Sequence, residues 1–219
     1  GKQGFFEGLT AEQLRRVHLI AEPKANWQVI DCYRNCGPMS LLDNDFGNTV
    51  LGGGHSHQGL PSGATVAHLA FYLAEYLGTD PILFIGQDLG FTDNVYYSPG
   101  TALHAVWKPE LNRFMTLEMK EWERIVRHRN ILRKVPDIHG AIIYTDEQMF
   151  TYLQQFEKDF ARTTARVIDA GEGGARKQYC ETMPFARALE QFCTKPVDRN
   201  LFAYLDEFQM YDRARLKEG

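Results

Sequence analysis

A chain of 219 residues, 44% of them hydrophobic and 24% charged, is long enough to bury a sizeable core and has an ordinary globular composition. Its formal net charge is −4, and its acidic and basic residues are interspersed. A nucleic-acid-binding protein usually has a basic excess or a basic stripe, so we expect no nucleic-acid partner. No apolar run reaches the ~18 residues that a membrane span requires, and the cysteines form no CxxC pair. We therefore expect a cytoplasmic protein with reduced thiols and no membrane partner.

The first 48 residues carry weak structural signals. We expect a short helix over residues 11–20, capped by Thr10, and a strand over residues 27–30. Because the chain begins with Gly1 rather than methionine, we expect an excerpt of a longer protein. Residues 1–48 would then be the remnant of a longer domain.

A clearer pattern begins at residue 49. Residues 49–51 predict a short strand, residues 52–63 form a glycine-rich loop, and apolar residues then recur at helical spacing until Gly78. The continuous apolar run at residues 82–85 is typical of a parallel strand covered by helices on both faces. This order predicts a right-handed βαβ unit.

Helices and strands keep alternating beyond this unit. We expect a helix over 116–134 with Met119, Trp122, Ile131 and either Ile125 or Val126 inward, and a strand over 141–144. A helix capped by Thr145 and Gln148 follows, with an inward stripe of Phe150, Leu153, Phe156 and Phe160. A strand over 166–169 and helices over 183–192 and 198–216 complete the pattern.

The predicted fold class is therefore α/β, a Rossmann-like three-layer sandwich with a mainly parallel sheet. The α/β domain is expected over residues 49–195, and a C-terminal helix over residues 196–219.

Ligands of open α/β sheets bind beyond the carboxyl ends of the strands, and the glycine-rich loop lies at such a place. Its candidate ligand-binding residues are Gly53, Gly54, Ser62, Gly63 and Ala64. Ser62 stands where a helix N-cap is expected, and the helix start offers free N–H groups to a phosphate. The loop is neither GxGxxG nor a Walker A sequence, so a purely structural turn fits equally well.

Two further loops follow predicted strands. Gln87, Asp88 and Thr92 come after the first, where a carboxylate can bind a ribose hydroxyl, hold a metal, act as a base, or simply cap a turn. Glu172 stands before Gly173 and Gly174 after the second. Glycines add an entropic cost that closeness to a ligand would explain, while a solvent-facing turn is the alternative.

Some of the histidines are further candidates. His104, which follows Gly100 and Thr101, is a candidate for an acid–base or phosphate-binding role. His68, near the start of a helix, is expected to be packed. His55 and His57 alternate in the glycine-rich loop, but no third ligand is evident, so no metal site is predicted.

Taken together, these segments resemble the MAF flagellin glycosyltransferase-like family, whose domain is also described as 6-hydroxymethylpterin diphosphokinase MptE-like. The resemblance covers about residues 52–192 and is carried by GATVAHLA at 63–70, LGTDPI at 77–82, IGQDLGFTD at 85–93, Gly100-Thr101, and VIDAGEGGA at 167–175. The chain departs from the family at Tyr97, where many members carry a histidine, and it lacks the family's opening Gly-Pro-Ser strand; the only hint is Gly37 to Ser40.

The resemblance implies a nucleotide-dependent transferase. One branch of the family is linked to moving a nonulosonic, sialic-like acid from a CMP-sugar onto a protein acceptor such as flagellin, without a metal. The other branch transfers diphosphate from ATP to a pterin alcohol and needs Mg²⁺. The first is our expectation, the second an alternative, and a non-catalytic domain that binds a nucleotide-sugar or a partner is a third.

The expected catalytic residues are Asp88, Glu172 and His104; the expected nucleotide contacts are Gly53, Gly54, Ser62, Gly63, Ala64, Gln87, Asp88, Thr92, Gly100, Thr101, Gly173 and Gly174.

Overall fold

A computed structural model describes residues 9–33, 37–42, 60–92, 102–127 and 129–196. These residues divide into two compact units, one holding the described residues up to Tyr76 and the other those from Leu77 onward. The strand predicted at 49–51 and the helix predicted at 198–216 lie outside the described residues. The predicted domain boundaries stay predictions.

The first unit contains two parallel strands among helices. Its elements are α1 (Ala11–Arg15), β1 (Leu19–Ala21), α2 (Trp27–Tyr33), β2 (Met39–Leu41) and α3 (Val66–Tyr76), and β1 pairs with β2 in parallel. Thr10 caps α1 in a reciprocal capping box with Gln13, and the predicted cap is confirmed. The helix ends at Arg15 rather than at residue 20, because residues 19–21 form β1.

The strand predicted at residues 27–30 is wrong, because these residues begin α2. Asn26 Oδ1 accepts a hydrogen bond from the Gln28 amide at 2.9 Å, and the Asn26 carbonyl accepts one from the Val29 amide at 2.9 Å. Asparagine is a favoured residue at the start of a helix. This local start signal outweighs the strand preference of the apolar residues that follow it.

The second unit contains a parallel sheet and an antiparallel hairpin. Its elements are β3 (Ile82–Phe84), α4 (Ala102–Trp107), a 3₁₀ turn (Lys108–Glu110), α5 (Leu117–Arg127), a second 3₁₀ turn (Arg129–Ile131), β4 (Arg133–Pro136), β5 (Ile142–Thr145), α6 (Glu147–Phe160), β6 (Val167–Asp169), β7 (Glu181–Thr182) and α7 (Phe185–Phe192). The sheet order is β3–β6–β7, all parallel, while β4 and β5 pair antiparallel. The chain is therefore a mixed helix and strand protein with small parallel sheets.

Helices cover both faces of the β3–β6 pair. Phe84 packs edge-on against Phe156 and Phe160 of α6, with ring centroids 5.2 and 5.1 Å apart. Ile168, which pairs with Leu83, the residue before Phe84, packs with Ala188 of α7 in a buried cluster. Successive residues of a strand point to opposite faces, so these contacts put α6 and α7 on opposite sides. The apolar runs of β3 and β6 are explained by this double cover.

Helix α5 turns a different face inward from the one predicted. Ile125 is buried, but Met119, Trp122 and Ile131 are exposed, and the helix ends at Arg127 instead of continuing to residue 134. The chain leaves the helix because residues 133–136 form β4 and pair with β5. Across the described residues, no helix has both the length and the apolar character needed to cross a bilayer.

The start of α6 also differs from the prediction. Asp146 is the N-cap, and its Oδ1 accepts from the Met149 amide at 2.7 Å. Thr145 is buried and instead donates to the Leu89 carbonyl at 2.7 Å. The inward stripe of α6 is confirmed, since Leu153, Phe156 and Phe160 are buried and Phe150 is half-buried.

Replacing Asp146 with alanine should lower the free energy of unfolding by about 0.5–2 kcal/mol, because it removes the acceptor for an N-terminal amide of α6. Gln148→Ala, at the exposed position where a capping box was predicted, is the matched control and should change it by less than about 0.5 kcal/mol. Urea unfolding measures both. Equal losses in the two variants would contradict the assignment of the cap.

Candidate functional site

The loop that follows β3, residues 85–92, is held against the hairpin. Thr145 Oγ1 donates to the Leu89 carbonyl at 2.7 Å, and the Phe91 amide donates to the Tyr144 carbonyl at 2.8 Å. Leu89 has a φ of 51°, which is uncommon for a residue with a branched side chain. We call residues 85–92 the β3 loop.

The loop that follows β6, residues 170–175, is bound directly to the β3 loop. The Ala175 amide donates to the Asp88 carbonyl at 2.7 Å, and the Gly174 amide donates to Thr92 Oγ1 at 2.9 Å. These bonds join residues more than eighty positions apart. The described residues 85–92 of the first motif and the motif at 167–175 therefore form one structural assembly, in which residues 170–175 are called the β6 loop.

The two loops approach so closely that glycine is required between them. A Cβ atom on Gly174 would lie 2.4 Å from the Asp88 Cα, and Gly174 has a φ of 89°. A Cβ atom on Gly173 would lie 3.1 Å from Thr92 Cγ2. Loop-to-loop packing thus requires glycine at position 174 and leaves little room for a side chain at position 173, without the ligand that their sequence pattern suggests.

A cavity of about 390 Å³ opens where β3 and β6 end. Its lining is apolar at Ile85, Ala170 and Phe185, glycine at Gly86, Gly171 and Gly173, and polar at Asp88, Thr92 and Glu172. The carboxyl ends of parallel strands are where α/β sheets bind their ligands. The cavity is therefore the candidate functional site.

The polar lining of this cavity is acidic. Asp88 is half-buried and Glu172 is exposed, and the lining in the described part of the chain includes no lysine or arginine. Carboxylates accept hydrogen bonds from hydroxyl groups, take protons from them, or bind Mg²⁺. Phe185 and Ile85 add an apolar surface for a ring. Such a site suits a hydroxyl-rich ligand and disfavours a bare phosphate.

Four of the residues predicted from the sequence meet here: Asp88, Thr92, Glu172 and Gly173 line the same cavity. Gln87 and Gly174 belong to the same two loops but are not part of the lining. Glu172 thus lies beside the Gly86–Asp88 segment, while its side chain is accessible to solvent.

The described part of the glycine-rich loop belongs to the first unit, with Ser62, Gly63 and Ala64. Thr65 rather than Ser62 occupies the capping position, because its Oγ1 accepts from the His68 amide at 3.4 Å. A Cβ atom on Gly63 would lie 2.8 Å from the His68 Cβ, so the turn into α3 itself requires glycine there. The expected phosphate contact at this helix start stays a prediction.

Other predicted residues lie outside the described part of the chain. These are Gly53, Gly54, Gly100 and Thr101, together with His55 and His57. Within the described residues, no three or more histidine, cysteine, aspartate or glutamate side chains are grouped as metal ligands.

His104 and His68 are both packed among other side chains. His104 Nε2 lies 2.8 Å from Glu121 Oε1, and the Glu121 side chain is only 6% exposed. His104 is not part of the cavity lining. His68 is fully buried, as expected, and its Nδ1 contacts Thr65 Oγ1 at 2.8 Å.

Sequence reasoning missed a buried ion pair beneath the cavity. Lys177 Nζ lies 2.7 Å from Asp169 Oδ2, and both side chains are almost completely buried. The end of an apolar strand at Asp169 does predict a carboxylate at this edge of the sheet, but it does not predict the partner of that carboxylate. Lysine is rarely buried, so nothing in the sequence singles out Lys177.

Next to this pair, burial and the nearby negative charge of Asp169 raise the pKa of the Cys180 thiol to about 11. The thiolate is the reactive form, so Cys180 should resist iodoacetamide at pH 8, and its alkylation rate should rise as the pH approaches 11. Cys193, which is exposed, is the internal control and should react at pH 8. Peptide mass spectrometry of the native protein reads both sites. Equal labelling at pH 8 would contradict the burial of the Cys180 thiol.

Comparison with known proteins gives one distant relative and no functional description. No family model and no solved structure matches the chain. A curated protein of Treponema pallidum (strain Nichols), described as an uncharacterized protein, is 25% identical over an alignment of 173 residues that covers 71% of this chain. The chain spans 59% of that relative's length.

Proposed function

We propose that the cavity between the β3 and β6 loops binds a nucleotide-activated sugar, and that the chain transfers the glycosyl group from it. The donor we propose is a CMP-activated nonulosonic acid, and the acceptor is a hydroxyl group of a protein such as flagellin. The observation that supports this most is the position of the cavity, at the carboxyl ends of two parallel strands with Asp88 and Glu172 in its lining.

The acidic lining decides which part of the donor the cavity would hold. Two carboxylates repel a phosphate, so we place the sugar and acceptor hydroxyls, rather than the phosphate, against Asp88 and Glu172. Carboxylates accept hydrogen bonds from such hydroxyls, and the Phe185 ring offers an apolar surface to the less polar face of a sugar.

Glu172 is the proposed general base. It would take the proton of the acceptor hydroxyl as the acceptor oxygen forms a bond to the anomeric carbon. The bond from that carbon to the phosphate oxygen breaks, and CMP leaves with the electron pair. Asp88 would hold a sugar hydroxyl in place during this step.

A thermal-shift panel of CMP, CMP-sialic acid, GTP and ATP with Mg²⁺ tests the donor. A ligand at about 100 times its dissociation constant adds about 2.7 kcal/mol of stability, so binding is readily seen. The proposal expects stabilisation by CMP-sialic acid that survives EDTA. Stabilisation by ATP alone, lost on chelation, would replace it with the second candidate.

That second candidate is transfer of diphosphate from ATP to a pterin alcohol. It is favoured by the pair of carboxylates in the lining, where the described residues include no basic side chain, since Mg²⁺ is commonly bound by one or two carboxylates and the substrate phosphates. Asp88 and Glu172 are the residues that would hold the ion, which would neutralise the phosphate charge.

We further propose that the β3–β6–β7 sheet belongs to a Rossmann-like three-layer sandwich. The support is its parallel order and the packing of α6 and α7 on its opposite faces.

A further inference from the structure

The buried pair of Asp169 and Lys177 connects the two ends of the β6 loop. Asp169 immediately precedes the loop, and its Oδ1 accepts from the Gly171 amide at 3.2 Å. Lys177 follows the loop, and its Nζ contacts Asp169 Oδ2 at 2.7 Å and the Ala175 carbonyl at 3.4 Å. One side-chain pair thus contacts the backbone near the beginning and at the end of the loop.

Stability alone does not explain such a pair. Desolvating two charges is costly, and a well-packed apolar pair in place of a buried ion pair is often equally stable or more stable. The ion pair of Arg133 and Glu147 in the same unit is about half exposed and carries no such cost. What distinguishes the buried pair is its set of contacts, which restrain residues 170–175.

The restrained loop contributes one side of the cavity. Gly171, Glu172 and Gly173 line it, and the Gly174 and Ala175 amides join the loop to Thr92 and Asp88. If the loop were released at either end, Glu172 would lose its fixed position opposite Asp88.

We infer that Asp169 and Lys177 are positioning residues that hold the β6 loop, with its lining residues Gly171, Glu172 and Gly173, in the geometry that binds the ligand. The inference deepens the proposed function and rests on it for the identity of that ligand. Neither residue is part of the cavity lining, so they act through Gly171 and Ala175 rather than by touching substrate.

The test uses the full chain with a double substitution, D169N/K177M. This variant removes both charges together and so leaves no unpaired buried charge. Asparagine retains an acceptor for the Gly171 amide, and methionine fills much of the lysine volume without the ammonium group that contacts Ala175. The control, R133Q/E147Q, removes an exposed ion pair that is not part of the lining.

Two measurements are made on each folded variant. Hydrogen exchange followed by NMR should show the amides of residues 171–175 exchanging at least about tenfold faster in D169N/K177M, with the amides of β3 unchanged. Calorimetric titration with CMP-sialic acid should show affinity at least about tenfold weaker. The control should match wild type in both.

The outcomes separate this inference from the proposed function. Loop amides that exchange at the wild-type rate in D169N/K177M would overturn the inference. If the wild type binds CMP-sialic acid, an equal affinity in D169N/K177M would overturn it as well. If the wild type does not bind CMP-sialic acid, the proposed donor is wrong, and faster exchange confined to the loop would still support the positioning role. If D169N/K177M does not fold, D169N/K177Q, which also removes both charges and keeps a polar side chain at position 177, takes its place in both measurements.

Discussion

Replacing Gly174 with alanine should lower the free energy of unfolding by about 2–5 kcal/mol. Two costs add up at this position. An L-residue at positive φ costs about 1–2 kcal/mol, and the new Cβ at 2.4 Å from the Asp88 Cα forces the two loops apart, which typically costs about 1–3 kcal/mol. Urea unfolding monitored by circular dichroism measures the loss.

Gly140 offers a matched control for this variant. It has the same φ of 89°, but a Cβ atom there meets nothing within 4 Å. Gly140→Ala should therefore cost only the backbone term of about 1–2 kcal/mol. If both alanine variants lost the same stability, the close contact between the β3 and β6 loops would be contradicted.

Replacing Lys177 alone with methionine should lower the free energy of unfolding by about 3–5 kcal/mol. The substitution leaves the Asp169 carboxylate buried without its cation, and an uncompensated buried charge is strongly destabilising. Chemical unfolding at pH 7 measures the loss.

The exposed pair of Arg133 and Glu147 provides the contrast. Arg133→Met removes an ion pair of similar length, 2.6 Å, whose side chains are 49% and 55% exposed. Solvent-exposed pairs contribute little, so its cost should stay below about 1 kcal/mol. A loss in Lys177→Met no larger than in Arg133→Met would show that the Asp169–Lys177 pair is hydrated.

The part of the site that the sequence predicts well is the meeting of the two motif loops. The apolar runs ending at Phe84 and Asp169 indicate parallel strands, and the carboxyl ends of adjacent parallel strands share one sheet edge. The order of strands and loops along the chain is therefore enough to predict that Asp88 and Glu172 lie near each other.

Other features depend on tertiary contacts, which the sequence pattern alone does not determine. The apolar residues of α5 form more than one stripe, and only packing selects Ile125 over Met119 and Trp122. At residues 27–30 the helix start at Asn26 overrides an apolar run of strand character. The burial of Lys177 depends on a partner eight residues away across a loop, which spacing alone does not reveal.

The most direct test of the proposed function is calorimetric titration of CMP-sialic acid into wild type, Asp88→Asn and Glu172→Gln, followed by CMP release with a flagellin acceptor. The contacts that join the loops use the Asp88 carbonyl, so Asp88→Asn should leave them intact. Glu190→Gln, an exposed acid on α7 outside the lining, is the control. The proposal predicts that Asp88→Asn binds CMP-sialic acid at least about tenfold more weakly than wild type. It predicts that Glu172→Gln still binds the donor but releases CMP at least about a hundredfold more slowly. Binding and release in both variants equal to those of Glu190→Gln would contradict it.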